Sequence, residues 1–298
     1  MNWRQIRKWF SILALTVTLM VLFVAWGVGG RLVAPANRVV GDPPSDFPAV
    51  TVQISSESGA ELVGWYLPVP DSRATAILLH PIRGDRRSML SRGKLFRKHG
   101  YSTLMIDLQA HGESHGENIT IGHLEKLDVH AAVEFVRQRD AAQKIAIIGC
   151  SLGGASTVLA NPDVEVMVLE SIYPTVTEAV HNRVQMRLGP LHHVIAPLLL
   201  VQLHPRLGVS AGQLCPIVEL SKVHCPVLIA SGDQDEHTTI DETRELFEAA
   251  NELKQLVVFE GAAHIDLLDY SPEKYEDEVV AFVDQVIGER VAVAEVKQ

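Results

Sequence analysis

Three rhythms of apolar and polar positions succeed one another along the 298 residues. Phe10 to Val28 (FSILALTVTLMVLFVAWGV) is a run of 19 residues without a charge. As a helix rising 1.5 Å per residue it would span about 28 Å, close to the hydrocarbon thickness of a bilayer. Val50–Ile54 and Glu61–Val69 have β character and flank the turn signal Ser58-Gly59-Ala60, which predicts an antiparallel hairpin. From Ala74 onward, short and nearly continuous apolar runs alternate with segments of helical period. The runs Ala74–His80, Ser102–Leu108, Lys144–Cys150, Val164–Leu169, Pro226–Ser231 and Leu256–Phe259 read as strands. The intervening helices are expected at Arg87–His99, His123–Arg139, Leu152–Ala160, Ile240–Asn251 and Glu273–Ile287. In the second of these, Leu124, Leu127, Ala131 and Phe135 form the stripe expected to face the core. Continuous apolar strands separated by helices predict an α/β fold, a mostly parallel sheet covered on both faces. Ligands in such sheets bind beyond the carboxyl ends of the strands.

Two stretches break the alternation. Residues 31–48, with four prolines, read as a linker that tethers a domain at 49–290 to an N-terminal segment, 1–30. Residues 172–215 hold four prolines, apolar runs such as Leu198-Leu199-Leu200-Val201 and no clear strand, and predict a helical cap insertion over the site. Residues 291–298 read as a C-terminal tail.

Composition narrows the options. Hydrophobic residues make up 47% and the formal net charge is −10, which argues against nucleic acid as a partner because phosphate binding needs a basic face. Arg4, Arg7 and Lys8 precede the apolar run, whereas Arg31 and Arg38 follow it. That bias favours a single-pass membrane anchor with the remaining chain on the non-cytoplasmic side. A cleaved signal peptide is the competing reading, since Ala34-Pro35-Ala36 fits a small-residue cleavage pattern. The three cysteines are no disulfide framework, although Cys215 and Cys225 could pair in an oxidising compartment.

Candidate chemistry gathers at strand ends. Gly149-Cys150-Ser151-Leu152-Gly153 is a G-x-S-x-G segment between an expected strand and an expected helix. A serine hydroxyl is a weak nucleophile that must be held exposed beside a base, and a sharp strand-to-helix turn does so. The N–H of Leu152 would fall in the first helical turn, where donors are unpaired and negative charge is favoured. A second oxyanion donor is expected from the loop His80-Pro81-Ile82-Arg83-Gly84; Pro81 has no N–H, so Ile82 is the candidate. Arg83 reads as a solvated loop residue. Gly232-Asp233-Gln234-Asp235 follows a late strand and offers the acid: Asp235 first, Asp233 in reserve, Glu170 an outside candidate. His237 is expected to pack in that loop. His264 follows the last strand and suits a general base, because imidazole titrates near neutrality. Asp107, His111 and His115 lie in a turn-rich loop that reads as structural; no ligand cluster has zinc spacing, and no metal is expected.

These motifs resemble the α/β-hydrolase superfamily, in particular its serine aminopeptidase-like, monoacylglycerol-lipase-like and Bem46-like branch. The likeness covers roughly Val50 to Gly288 and rests on Gly149-Cys-Ser-Leu-Gly-Gly154, Gly-Asp-Gln-Asp235, Gly-Ala-Ala-His264 and Asp107-Leu-Gln-Ala-His-Gly-Glu-Ser114, which is similar to a D-x-R-G-x-G-x-S segment. Pro81 and Gln109-Ala110 depart from that pattern. The resemblance implies catalytic roles for Ser151, Asp235 and His264, oxyanion roles for Leu152 and Ile82, and no cofactor. The expected activity is that of a membrane-anchored serine hydrolase acting on a small ester or acyl substrate through an acyl-enzyme. A serine peptidase or thioesterase, and a non-catalytic hydrolase-like binding protein, are the alternatives.

Overall fold

In the computed structural model, which describes residues 2–295, the β-type runs assemble into one eight-stranded sheet. Its strands are β1 (Val50–Ser55), β2 (Glu61–Leu67), β3 (Thr75–Leu79), β4 (Ser102–Ile106), β5 (Ile145–Cys150), β6 (Val166–Glu170), β7 (Val227–Gly232) and β8 (Lys254–Phe259). Spatial order is β8-β7-β6-β5-β3-β4-β2-β1. The hairpin β1–β2 and the β2–β4 pair are antiparallel, and every other pair is parallel. Strands β3, β4, β5 and β6 are buried along almost their whole length, which their uninterrupted apolar runs require, since helices cover both faces. One core cluster centres on Ile77, Leu104, Ile147 and Leu169, the other on Leu78, Met105, Ile148 and Val168, as alternate residues of each strand point to opposite faces.

Helices α1 (Trp3–Val33), α2 (Leu90–Lys98), α3 (Glu125–Arg137) and α4 (Leu152–Ala160) precede the insertion, which is helical as expected: α5 (Val176–Leu188), α6 (His192–Leu200) and short turns at Leu203–Leu207 and Pro216–Leu220. The helix expected to end near Ile287 continues to Glu295, and residues 296–298 of the C-terminal tail lie outside the described residues.

Two local expectations need revision. Residues 31–48 are not a free tether. Ala36–Asn37 pairs in parallel with His111–Gly112, the Ala36 N–H donates to Ala110 O at 2.8 Å, and Phe47 is fully buried. The α3 stripe is also turned by one position: Glu125, Asp128, Val129, Ala132, Phe135 and Val136 face inward, and Leu124, Leu127 and Ala131 are only half-buried. Two carboxylates lie on the inner face because backbone donors are waiting there. Asp128 accepts from Gln109 N (2.8 Å), Ser56 Oγ (2.7 Å) and Ser58 Oγ (2.9 Å), while Glu125 accepts from Thr120 N (2.7 Å) and Gly122 N (2.9 Å).

Burial, with a smaller push from Glu125, outweighs those donors and raises Asp128 to about 7. The folded chain therefore holds this proton more tightly than the unfolded one. Asp128 contributes its full stability below about pH 4, loses it as the pH rises, and has lost it once the pH passes about 7. Asp128→Asn, which cannot ionise, is expected to flatten the fall in melting temperature between pH 5 and pH 8. Parallel curves for the two proteins would show that the group titrates normally.

Candidate active site

The chain turns sharply at the end of β5. Ser151 has φ +48° and ψ −108°, a conformation that costs a non-glycine residue on the order of 1–3 kcal/mol. Crowding explains the surrounding glycines. A Cβ on Gly149 would lie 2.5 Å from Gly154 Cα, one on Gly153 would lie 2.4 Å from Leu79 O, and one on Gly154 would lie 2.5 Å from Ile172 Cγ2. The Ser151 N–H donates to Glu170 O at 2.7 Å, fixing the turn to the neighbouring strand. Leu152 is the first residue of α4, so its N–H has no carbonyl within the helix.

Ser151 and His264 line one cavity of about 360 Å³ beyond the carboxyl ends of the strands, with Pro81, Ser88, Ser91 and Ser171 among its walls. No residue of the 172–215 insertion lines it. The insertion borders the site from the side instead, where Asn182 Nδ2 on α5 donates to His237 O (3.3 Å) and to Glu242 Oε1 (2.8 Å).

Of the two aspartates after β7, the structure brings Asp235 to the histidine. Asp235 Oδ2 lies 2.7 Å from His264 Nδ1 and accepts from Thr238 Oγ1 at 2.8 Å; Oδ1 accepts from the His237 and Thr238 backbone N–H groups at 2.8 and 2.9 Å. Burial alone would raise this carboxyl, but the hydrogen bond and charge of His264, together with the Thr238 donors, hold it below the usual range. Asp233 turns away: its Oδ1 accepts from Gly261 N at 2.7 Å and ties the two strand-end loops together. His237 packs with its ring 4.8 Å from that of His264, and burial first, then the charges of His264 and Arg183, lower its pKa.

The Pro81–Gly84 loop is a tight turn closed by Gly84 N–H to Pro81 O (2.9 Å), with Arg83 at φ +59°. His80 braces it from below. Its Nε2 accepts from Leu108 N at 3.0 Å, so the proton sits on Nδ1 and is donated to Pro81 O at 2.8 Å. Burial pushes this imidazole down to about 4, so it stays neutral. Ile82 lies within this braced turn and packs its side chain on the core. Arg83 is exposed, as the sequence suggests, and its guanidinium also donates to Arg31 O (2.5 Å) and Leu32 O (3.1 Å) at the end of α1.

Glu170 does not orient the histidine. It receives Arg92 Nε (3.0 Å) and Nη2 (2.5 Å), Tyr275 Oη (2.6 Å) and Cys150 Sγ (3.3 Å), and Arg92 Nη1 reaches on to Asp266 (2.6 Å), two residues beyond His264. This buried network beside the cavity was missed from the sequence. One signal was available: a carboxylate that ends an otherwise apolar buried strand demands a cation. Nothing in the sequence pointed to Arg92 or Tyr275 as the residues that answer it.

Asp107 serves the fold. It pairs with buried Arg86 and accepts from Glu113 N at 2.9 Å, while the His111 ring lies tilted 5.0 Å from that of His80 and burial lowers His111 to about 4. No cluster of metal-ligating side chains occurs among the described residues, and the thiols of Cys150 and Cys215 are in no disulfide.

The chain is similar to known proteins in sequence and in fold. The family model described as serine aminopeptidase, S33, matches residues 70–218. YfhR of Escherichia coli K12 is 24% identical over 263 residues, 84% of each chain, and YqkD of Bacillus subtilis is 22% identical over 239 residues, 78% of each. Among solved structures, the Pyrococcus furiosus esterase Pf2001 superposes with a TM-score of 0.70 at 21% identity, covering 86% of this chain and all of that one. The Exiguobacterium antarcticum esterase EaEST gives 0.59 at 16% identity over 79% of this chain and all of that one.

Proposed function

Because the chain belongs to the serine aminopeptidase S33 family, within the α/β-hydrolase superfamily, and is a hydrolase, we propose that it is a membrane-anchored serine hydrolase that cleaves a carboxylic ester with Ser151, His264 and Asp235. The observation that carries this reading is the 2.7 Å contact of Asp235 with His264 Nδ1 at the cavity that also exposes the strained Ser151 turn. Asp235 holds the Nδ1 proton and leaves Nε2 free to act as base. His264 takes the Ser151 proton as Oγ attacks the carbonyl carbon. The N–H groups of Leu152 and Ile82 receive the oxyanion, and losing one such donor typically costs about 10²–10³ in rate. His264 then protonates the departing alcohol, and water releases the acid by the reverse steps.

The membrane part of the reading rests on α1, 31 residues of high mean hydropathy with 11% of its most apolar stretch buried. The preference for esters with an acyl chain rests on that anchor. The apolar insertion, expected to cover the substrate, contributes no wall to the cavity.

A fluorophosphonate probe tests the chemistry. Wild type is expected to label and Ser151→Ala is not; folded wild type that fails to label would leave a binding protein as the better reading. Rates on p-nitrophenyl esters of two to twelve carbons test the substrate. A sharp preference for acetate would remove the acyl-chain preference, and turnover of peptides alone would replace the esterase with a peptidase.

A further inference from the structure

The anchor and the insertion are joined in a way that a mere leash would not need. Gln202 Nε2 donates to Ala25 O on α1 at 3.0 Å, and Gln202 is itself buried. Arg206 hydrogen-bonds Trp26 O and lies 4.0 Å over the Trp26 ring. Close approach depends on bare backbone: a Cβ on Gly29 would lie 2.2 Å from Gln202 Oε1, and one on Gly30 would lie 3.0 Å from Arg206 Nη1. Arg83 closes the clasp on the last carbonyls of α1, from the same short loop whose Pro81 lines the Ser151 cavity. The helix therefore enters the fold at the carboxyl ends of β3 and β4, on the side of the site.

The insertion presents two faces. Ala196 and Leu199 pack inward on Val184. Leu191, Val194 and Val201 point outward, 59%, 59% and 70% exposed, at the spacing of one helix face, with Met186 and Leu188 nearby at 43% and 46%. An apolar stripe of this kind needs a cover, and the apolar surface of α1 adjoins it. Charge agrees with the same cover: residues 176–215 hold three arginines and one glutamate in a chain of net charge −10. Arg187 is exposed beside that face, and a face so poor in carboxylates suits an anionic bilayer surface.

We propose that the outer face of α6 and its flanking turns lies in the surface of the bilayer that α1 spans, so that the insertion is a lipid-contact platform and the site opens beside it. This rests on the membrane anchoring proposed above. The clasp sets the depth: Trp26 and Gly29 lie at the end of the apolar run, so what is bound to them lies at the headgroup and upper acyl level, about 5–10 Å deep.

The test uses the full chain in vesicles of anionic and zwitterionic lipid. An environment-sensitive fluorophore is attached in turn to Val194→Cys, Val201→Cys, Val17→Cys within α1, and Leu253→Cys, 56% exposed at the opposite end of the sheet. Cys215 and Cys225 are replaced by serine, Cys150 with its buried thiol is left in place, and esterase turnover serves as the check of folding. Labels at 194, 201 and 17 are expected to be quenched by lipid-borne quenchers, and the label at 253 by aqueous iodide. Iodide quenching at 194 and 201, with 17 still in lipid, overturns the platform and leaves the anchor standing. Iodide quenching at 17 as well removes both. Labels at 194 and 201 shielded from both quenchers would mean that protein, such as a second copy of the chain, covers the face, which also overturns the proposal.

Discussion

Ser151→Ala is expected to lower kcat on an activated ester by at least about 10⁴-fold, with KM little changed. The hydroxyl is the group that would bond the carbonyl carbon, and no neighbour can replace it: Cys150 points its thiol at Glu170, and the thiol's pKa is raised by burial. The folded state should be preserved, because the Cβ and both backbone hydrogen bonds of Ser151 remain. The aspartates after β7 then separate the roles. Asp235→Asn is expected to fall by about 10⁴-fold, since an amide facing His264 Nδ1 no longer selects the tautomer with a free Nε2. Asp233→Asn keeps an acceptor for Gly261 N and should stay within a few-fold of wild type. Equal losses at the two positions, measured as kcat/KM, would defeat the assignment of Asp235.

Arg92→Ala is expected to produce the largest loss of stability among single substitutions near the site, about 3–5 kcal/mol. The change strands Glu170, 2% exposed, with only Tyr275 and Cys150 as donors and no cation. Pairing Arg92→Met with Glu170→Gln should recover much of the loss, because the penalty lies in the unpaired charge and not in the missing pair. Activity should not recover with stability. Arg92 also holds Asp266, and through it the turn that carries His264. Chemical unfolding of the single and double variants, read beside kcat, checks both halves. A single variant as stable as wild type would mean that Glu170 does not depend on Arg92 for its compensation in the folded chain.

Much of this architecture is legible in the sequence, because parallel strands buried on both faces leave an unbroken apolar signature. The proposed triad follows from it: once β5, β7 and β8 are placed, Ser151, Asp235 and His264 are candidates at or just beyond their carboxyl ends. The choice of Asp235 over Asp233 was less visible. It depends on two backbone N–H groups and Thr238 converging on one carboxylate, which no spacing encodes. Long-range polar pairs were opaque for the same reason. Arg83 is the exposed loop residue its sequence suggests, but its contact with the end of α1, 52 positions earlier in the chain, has no local signal. Asp128 and Glu125 broke the α3 stripe because periodicity counts apolar residues, and that inner face binds the turn at Gln109 and Thr120 instead.

The pairing of Ala36 with His111 leaves only Ala34 and Pro35 between the end of α1 and the body of the enzyme. Two residues reach at most about 7 Å, so the domain has no slack with which to swing toward a substrate in solution. For a chain held in a bilayer, chemistry then becomes two-dimensional. The rate would follow the substrate's mole fraction in the membrane, and adding inert lipid around a fixed amount of ester would slow turnover even at constant bulk concentration.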